Sequence, residues 1–172
     1  MIGNTLGPEE AYRFARGEEV ISSTGVAAKL GRPLDFLVIS DHSENLGLAP
    51  AIREGDPELL KNPWGKMEAD RVKKGDIESI SKAYDNWMVV LFKREDPLNE
   101  QTALASNMWK RITTAAEKYN EPGRFTAFIG FEWTSQPNGA NMHRNVIFRD
   151  AKDKADQIIP ISCYDTEDSE DL

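Results

Sequence analysis

The two histidines of the chain both lie beside stretches that are typical of β-strands. His42 comes shortly after an apolar run at residues 35–40, and His143 opens a run at residues 143–149. A short apolar run of this kind, bounded by polar residues, indicates a buried strand. Because neutral imidazole is a common ligand of zinc, manganese and iron, the two histidines could bind a metal ion.

A carboxylate lies at a similar place in the pattern. Glu132 ends an apolar run at residues 124–131, and Asp41 comes directly before His42. Since ligands collect at the carboxyl ends of strands in α/β sheets, we expect Asp41, His42 and Glu132 at one site. Glu132 would offset the charge of a cation held by His42 and His143, and Asp41 could orient a ligand. Free coordination positions could hold water that the metal activates for hydrolysis.

The same residues allow a structural interpretation, which the sequence leaves open. His42 could be an ordinary satisfied histidine or cap the next helix, and Glu132 could pair with an arginine such as Arg144. Patterns for other chemistry do not occur: the sequence has no phosphate-binding glycine-rich loop and no G-x-S-x-G motif. The lone cysteine, Cys163, is expected to be a small residue at a strand end.

Helices are predicted before and between these strands, which indicates an α/β architecture with a mostly parallel sheet. Residues 43–123 form a long, mainly helical insertion in this interpretation. The predicted helices span residues 8–16, 77–92 (with Asp76 as N-cap) and 102–119; residues 54–75 are predicted as loop with short helices, residues around Thr24 as a hairpin, and residues 158–161 as a short fourth strand.

Composition excludes some partners. The formal charge is −8 and the sequence pI is about 4.9, and no basic stripe occurs that could bind nucleic acid or an anionic membrane surface. No run of 18 apolar residues occurs, so we expect a soluble protein without a membrane span, and leave open whether it is cytoplasmic or periplasmic. A small anionic substrate stays compatible with this charge, because a bound metal ion inverts the local sign.

Several motifs resemble those of the polymerase-and-histidinol-phosphatase (PHP) superfamily of metal-dependent hydrolases. Residues 34–42, LDFLVISDH, resemble its second motif, and residues 128–133, FIGFEW, resemble its third. His143 follows Glu132 by 11 residues, as does a ligand histidine of that superfamily. Together with residues 4–15, NTLGPEEAYRFA, and 143–148, HRNVIF, these motifs resemble a bacterial branch without an assigned function.

This resemblance implies a distorted (β/α)7 barrel that holds two or three metal ions and hydrolyses phosphate esters with metal-activated water. His42, Glu132 and His143 would bind zinc, manganese or iron, and Asp41, His42 and Glu132 would be catalytic. The surrounding residues would orient ligands, line the pocket or contact the substrate anion: Asp41, Glu44, Trp133, Arg144 and Asn145. Trp133 could equally be an aromatic residue of the core.

The resemblance also implies missing parts, because PHP proteins begin with a His-x-His strand and have further ligands on later strands. We therefore expect residues 1–172 to be a single incomplete domain, part of a (β/α)7 barrel with residues 43–123 as a helical cap. Such a fragment of a phosphoesterase would hold one metal ion or none and be inactive alone. Two alternatives remain: a sulfate-ester or other ester hydrolase of the same fold, and a non-catalytic fragment that forms homo-oligomers through an exposed sheet edge.

Overall fold

The structure, a computed structural model, describes residues 4–98 and 102–172, so residues 99–101 of the expected insertion and residues 1–3 lie outside it. Helices and strands alternate irregularly along the chain. In order they are α1 (Pro8–Ala15), β1 (Val20–Ile21), β2 (Ala27–Ala28), β3 (Phe36–Ile39), α2 (Leu48–Glu54), α3 (Pro57–Lys61), α4 (Pro63–Lys73), α5 (Ile77–Lys93), α6 (Thr102–Tyr119), β4 (Thr126–Ser135), β5 (Met142–Ile147) and α7 (Lys152–Ala155), with 3-10 turns at Pro137–Gly139 and Ser169–Asp171.

The larger sheet has three strands in the order β3, β4, β5. β3 runs parallel to β4, with Phe36 opposite Thr126 and Ile39 opposite Ile129. β5 runs antiparallel to β4 and pairs with it from Gly130 to Ser135. The predicted hairpin near Thr24 is confirmed as the small, separate antiparallel pair of β1 and β2.

The expected partial (β/α)7 barrel with a mostly parallel sheet is wrong. Among the described residues, the larger sheet contains one parallel and one antiparallel pair and does not close. The physical reason lies in the connection from β4 to β5, which covers only residues 136–141. A parallel crossover needs a dozen or more residues, whereas a short loop reverses the chain and gives an antiparallel pair.

The predictions for individual helices and strands were confirmed in part. The helix at residues 8–16 is confirmed as α1, and Asp76 caps α5 by accepting a hydrogen bond from the Ser79 N–H at 2.8 Å. Residues 54–75 are more helical than predicted, because Asp56 and Asn62 cap α3 and α4 and a proline follows each cap at the first helical position. No strand forms at residues 158–161, which follow a turn after α7 as a bend and irregular chain.

Helices α1 and α6 cover one face of the larger sheet. The odd-numbered residues of β4 from 127 to 135 are buried, and Trp109 and Ile112 of α6 belong to the same core as Phe131 and Trp133. A second apolar cluster lies among α2, α3, α4 and the start of α6. The opposite face of the sheet stays open and exposes Phe36, Phe128 and Ile147, so polar side chains on that face are accessible.

None of the helices in residues 4–98 and 102–172 has both the length and the apolar character that crossing a bilayer requires.

Candidate metal centre

Backbone pairing places His42 beside Glu132. After β3 the chain continues alongside β4: the Glu132 N–H donates to the Asp41 carbonyl at 2.8 Å, and the Ser43 N–H donates to the Glu132 carbonyl at 2.8 Å. His42 and Glu132 therefore face each other in a parallel bridge. This pairing brings the two residues together where the chain leaves β3.

The antiparallel partner β5 brings His143 to the same face. Thr134 pairs with His143 and Glu132 pairs with Asn145. Because side chains alternate between the two faces of a sheet, Glu132, Thr134 and His143 all project to the open face. One ligand atom from each of His42, Glu132 and His143 lies within 4.8 Å of the other two.

Short polar contacts join the three side chains. The His143 Nδ1 lies 2.6 Å from Glu132 Oε1, and the His42 Nε2 lies 3.6 Å from Glu132 Oε2. The Thr134 hydroxyl lies 2.9 Å from the His143 Nδ1 and 3.0 Å from the His42 Nδ1. A hydroxyl donates one proton, so at least one of these ring nitrogens must be the donor to Thr134. Both histidine side chains are about half exposed and Glu132 is mostly buried, so the centre is open to solvent on one side.

Glu44 lies behind His42 and is buried, with a side chain only 3% exposed. Its Oε1 accepts hydrogen bonds from the backbone N–H groups of Thr134 at 3.1 Å and Cys163 at 3.2 Å. Its Oε2 accepts no hydrogen bond and lies 3.3 Å from the His42 Nδ1. The Glu44 carboxylate raises the pKa of His42, desolvation opposes this rise, and the charge of Glu132 adds to it. His42 thus has a carboxylate on each side of its ring.

Asp41 does not join the cluster, although it was expected to. It borders a separate cavity on the side of the sheet covered by helices. The residue as a whole is exposed, yet desolvation of its carboxyl raises the pKa of Asp41, and the neighbouring His42 opposes the shift.

The remaining predicted site residues divide between the two faces. Asn145 projects to the open face, and its Oδ1 accepts a hydrogen bond from the Ser40 hydroxyl at 2.6 Å. Arg144 pairs with Trp133 and so projects away from the cluster; its guanidinium donates to the His143 carbonyl at 3.1 Å. Trp133 is fully buried and donates its indole N–H to the Thr166 carbonyl at 3.2 Å. Trp133 is therefore part of the core.

One supporting residue has no strong signal in the sequence. Asn45 accepts hydrogen bonds from the Trp87 indole N–H at 3.0 Å and the Tyr164 hydroxyl at 2.8 Å, and its amide donates to Asp96 at 3.1 Å. These bonds tie the loop after His42 to α5 and to the C-terminal segment. Asn45 has a φ of 53°, a conformation that asparagine tolerates better than most residues, but its partners are too distant in sequence to be predicted.

Comparisons with known proteins give one match. The model of a family described as "Protein of unknown function (DUF3604)" matches residues 1–172. No curated protein and no solved structure matches the chain. None of these results tests the resemblance to the PHP superfamily, which stays a prediction.

Proposed function

The chain belongs to the DUF3604 family, and from its site we propose that it is a metal-dependent hydrolase. His42, Glu132 and His143 would hold a divalent ion, and the reaction would be hydrolysis of an ester bond, with phosphate esters as the first substrates to test. The observation that carries this proposal is the convergence of these three ligand residues within 4.8 Å on an open sheet face.

The donor set fits a divalent ion in its chemistry. Two imidazoles and one carboxylate are ligands of zinc, manganese and iron. Ligand atoms bound to one such ion at about 2 Å lie no more than about 4 Å apart, so small side-chain rotations would bring these three together. The His143 Nδ1 and Glu132 Oε1 lie 2.6 Å apart, and ion binding would displace a proton held between them.

The charges around the cluster also favour a cation. Among residues 4–98 and 102–172, the ion-pair partners of Glu44 and Glu132 are the two histidines. Histidine is charged only when protonated, so within the described residues neither carboxylate forms an ion pair with a permanent cation. A divalent ion would supply the missing positive charge where two carboxylates face the same imidazole.

Each residue has a defined task in this proposal. His42 would bind the ion through Nε2, because its Nδ1 faces Glu44 and Thr134 and can donate its proton there. Glu44 would orient the His42 ring by accepting the Nδ1 proton, and Asn145, which projects to the same face as Glu132, would contact the substrate. The ion, when bound, supplies Lewis acidity that stabilises negative charge and makes water a better nucleophile near neutral pH.

The choice of phosphate esters rests on the resemblance to the PHP superfamily, and sulfate esters remain the alternative within the same chemistry. Both are tested by following nitrophenol release from 4-nitrophenyl phosphate and 4-nitrophenyl sulfate after chelation and reloading with zinc, manganese or iron. We expect metal-dependent hydrolysis that His143→Ala lowers at least a hundredfold. Arg144→Ala, on the opposite face, is the matched control and should keep its activity. Hydrolysis that is absent with every metal, or equal in His143→Ala, would contradict the proposal.

The exposed apolar part of the open face favours a second candidate, a non-catalytic module that associates with another copy of this chain. Phe36 is 61% exposed and Ile147 is 51% exposed, and β5 has one strand neighbour among the described residues. An edge strand beside exposed apolar residues favours pairing between copies. Light scattering tests this candidate: a metal-independent dimer that Ile147→Lys dissociates would support it, and a monomer at all concentrations would exclude it.

A further inference from the structure

A cavity of about 420 Å³ lies next to the candidate metal centre, on the side of the sheet covered by helices. Its size is within the range of sites that bind small molecules. His42 borders both the cavity and the ligand cluster. The walls are mainly apolar and include Ile39, Leu46, Leu48 and Met108. A molecule in the cavity would therefore bury an apolar body while one of its ends lies beside His42.

Two guanidinium groups line the same cavity. Arg111 is paired with Glu54 at 3.2 Å. Arg53 donates a hydrogen bond to the Asn4 carbonyl at 3.3 Å and has no ion-pair partner within the described part of the chain. A guanidinium is a planar donor that matches carboxylate and phosphate oxygens. In a chain of net charge −8, an arginine without an acidic partner on an apolar cavity favours an anionic ligand.

Acidic residues also line the cavity, beside the metal centre. Asp41 and Glu44 border the cavity there, next to His42. An anion would be repelled by these carboxylates and attracted by Arg53, so a ligand with one anionic end has a preferred direction. Its neutral end, or the oxygen of an ester bond, would point towards His42.

We infer that this cavity binds the leaving group of the ester, a small apolar ring or chain that ends in an anionic group paired by Arg53. The assignment as a leaving group rests on the proposed function. The binding itself uses Arg53 and the apolar walls and needs no metal, so it can be measured independently.

The test compares two phenols on metal-free protein: 4-hydroxyphenylacetate and 4-methylphenol, which lacks the carboxylate. Binding is followed by nuclear magnetic resonance of the tryptophan indole N–H groups. Trp87 lines the cavity, whereas Trp133 is buried in the core. We expect a saturable shift of the Trp87 signal, no shift of Trp133, and about tenfold tighter binding of the carboxylate, the size expected for one charged hydrogen bond.

Arg53→Gln should erase the tenfold preference and leave the binding of 4-methylphenol unchanged, which also shows that the variant is folded. Arg124→Gln is the matched control, because Arg124 is exposed and pairs with Glu121 away from the cavity. An unshifted Trp87, equal affinity for the two phenols, or a preference that survives Arg53→Gln would overturn the inference.

The metal-loaded protein separates this inference from the proposed function. With metal, 4-(carboxymethyl)phenyl phosphate should be hydrolysed with a kcat/KM about tenfold above that of 4-methylphenyl phosphate, and Arg53→Gln should remove the difference. Hydrolysis without this preference would contradict the binding of the leaving group in the cavity, whereas the proposed hydrolase function would stand. Arg53-dependent binding without any hydrolysis would overturn the hydrolase, and with it the leaving-group assignment, but keep the anion site.

Discussion

Two buried glutamates, one beside the sheet and one among the helices, show how different the roles of similar residues can be. Glu44 lies beside the ligand cluster and Glu68 lies on α4; their side chains are 3% and 0% exposed. In each, one carboxylate oxygen accepts hydrogen bonds and the other accepts none. By burial and hydrogen-bond satisfaction alone, the two residues are alike.

They differ in the charge that faces them. Glu68 has a permanent cation, because the Arg71 guanidinium on the same helix donates to it at 2.6 Å, and the Asn86 amide of α5 donates at 2.9 Å. Glu44 has backbone N–H donors and a histidine, whose charge depends on a proton. Glu68 therefore joins two helices. Glu44 has no permanent positive charge beside it, and a metal ion bound by His42 would supply one.

The largest expected effect is on stability, at Glu68. Glu68→Ala leaves the mostly buried Arg71 without its partner, and the free energy of unfolding should fall by about 3 kcal/mol. Urea denaturation measures the loss, and the affinity for zinc should not change. If this variant lost metal as well, the separation between the two regions would be refuted.

The second effect is on metal affinity, at Glu44. Glu44→Gln keeps the shape but places an amide N–H₂ or a weaker acceptor opposite the His42 Nδ1, so the tautomer that binds through Nε2 loses its support. We expect zinc to bind roughly 10- to 100-fold more weakly by isothermal titration calorimetry. Glu68→Gln is the matched control and should bind zinc like the wild type. Equal affinity in Glu44→Gln would make Glu44 a structural residue like Glu68.

A smaller effect is expected at Thr134, whose hydroxyl lies between the two imidazoles. Thr134→Val has nearly the same shape and removes a hydrogen bond worth about 1 kcal/mol, so zinc affinity should fall about fivefold. Thr134→Ser retains the hydroxyl and should bind nearly normally. A loss in Thr134→Ser as large as in Thr134→Val would show that packing of the methyl group, and not the hydroxyl, supports the histidines.

The smallest effect concerns Cys163, which is buried and donates its backbone N–H to Glu44. Burial, and next the charge of Glu44, raise the pKa of its thiol to about 11. A raised folded pKa contributes stability that is present below the unfolded value near 9 and is lost as the pH rises towards 11. Iodoacetamide at pH 8 should therefore alkylate the native protein much more slowly than the protein in urea. Equal rates would contradict the burial of the thiol.

Local sequence signals predicted the parts of the site that follow from neighbours in the chain. The apolar run before His42 predicted that His42 follows a strand, and the acid after the next run predicted that Glu132 lies near it. Glu132 was expected at a strand end, but it lies inside β4, which continues to Ser135. The strand period of two could also have separated Asn145 from Arg144, because only Asn145 shares a face with His143. The hydrophobic pattern does not give strand direction, so the antiparallel β5 was missed, although the short loop at residues 136–141 indicated it.

The other parts of the site depend on contacts between residues that are far apart in the sequence. The contacts of Glu44 with Thr134 and Cys163 join residues 90 and 119 positions apart, and Asn45 contacts Trp87 and Tyr164, which lie 42 and 119 positions away. No local pattern encodes such pairs. The cavity likewise depends on how α1, α2 and α6 pack, so Arg53 carried no signal in the sequence.

The most direct test of the proposed metal centre is the metal content of the purified protein, measured by mass spectrometry for the wild type and His143→Ala prepared without chelator. We predict close to one zinc, manganese or iron ion per wild-type chain and only traces in His143→Ala, with the same circular dichroism spectrum for both. Metal-free wild type that also takes up none of these ions on titration, or equal metal in both proteins, would contradict a centre built from His42, Glu132 and His143.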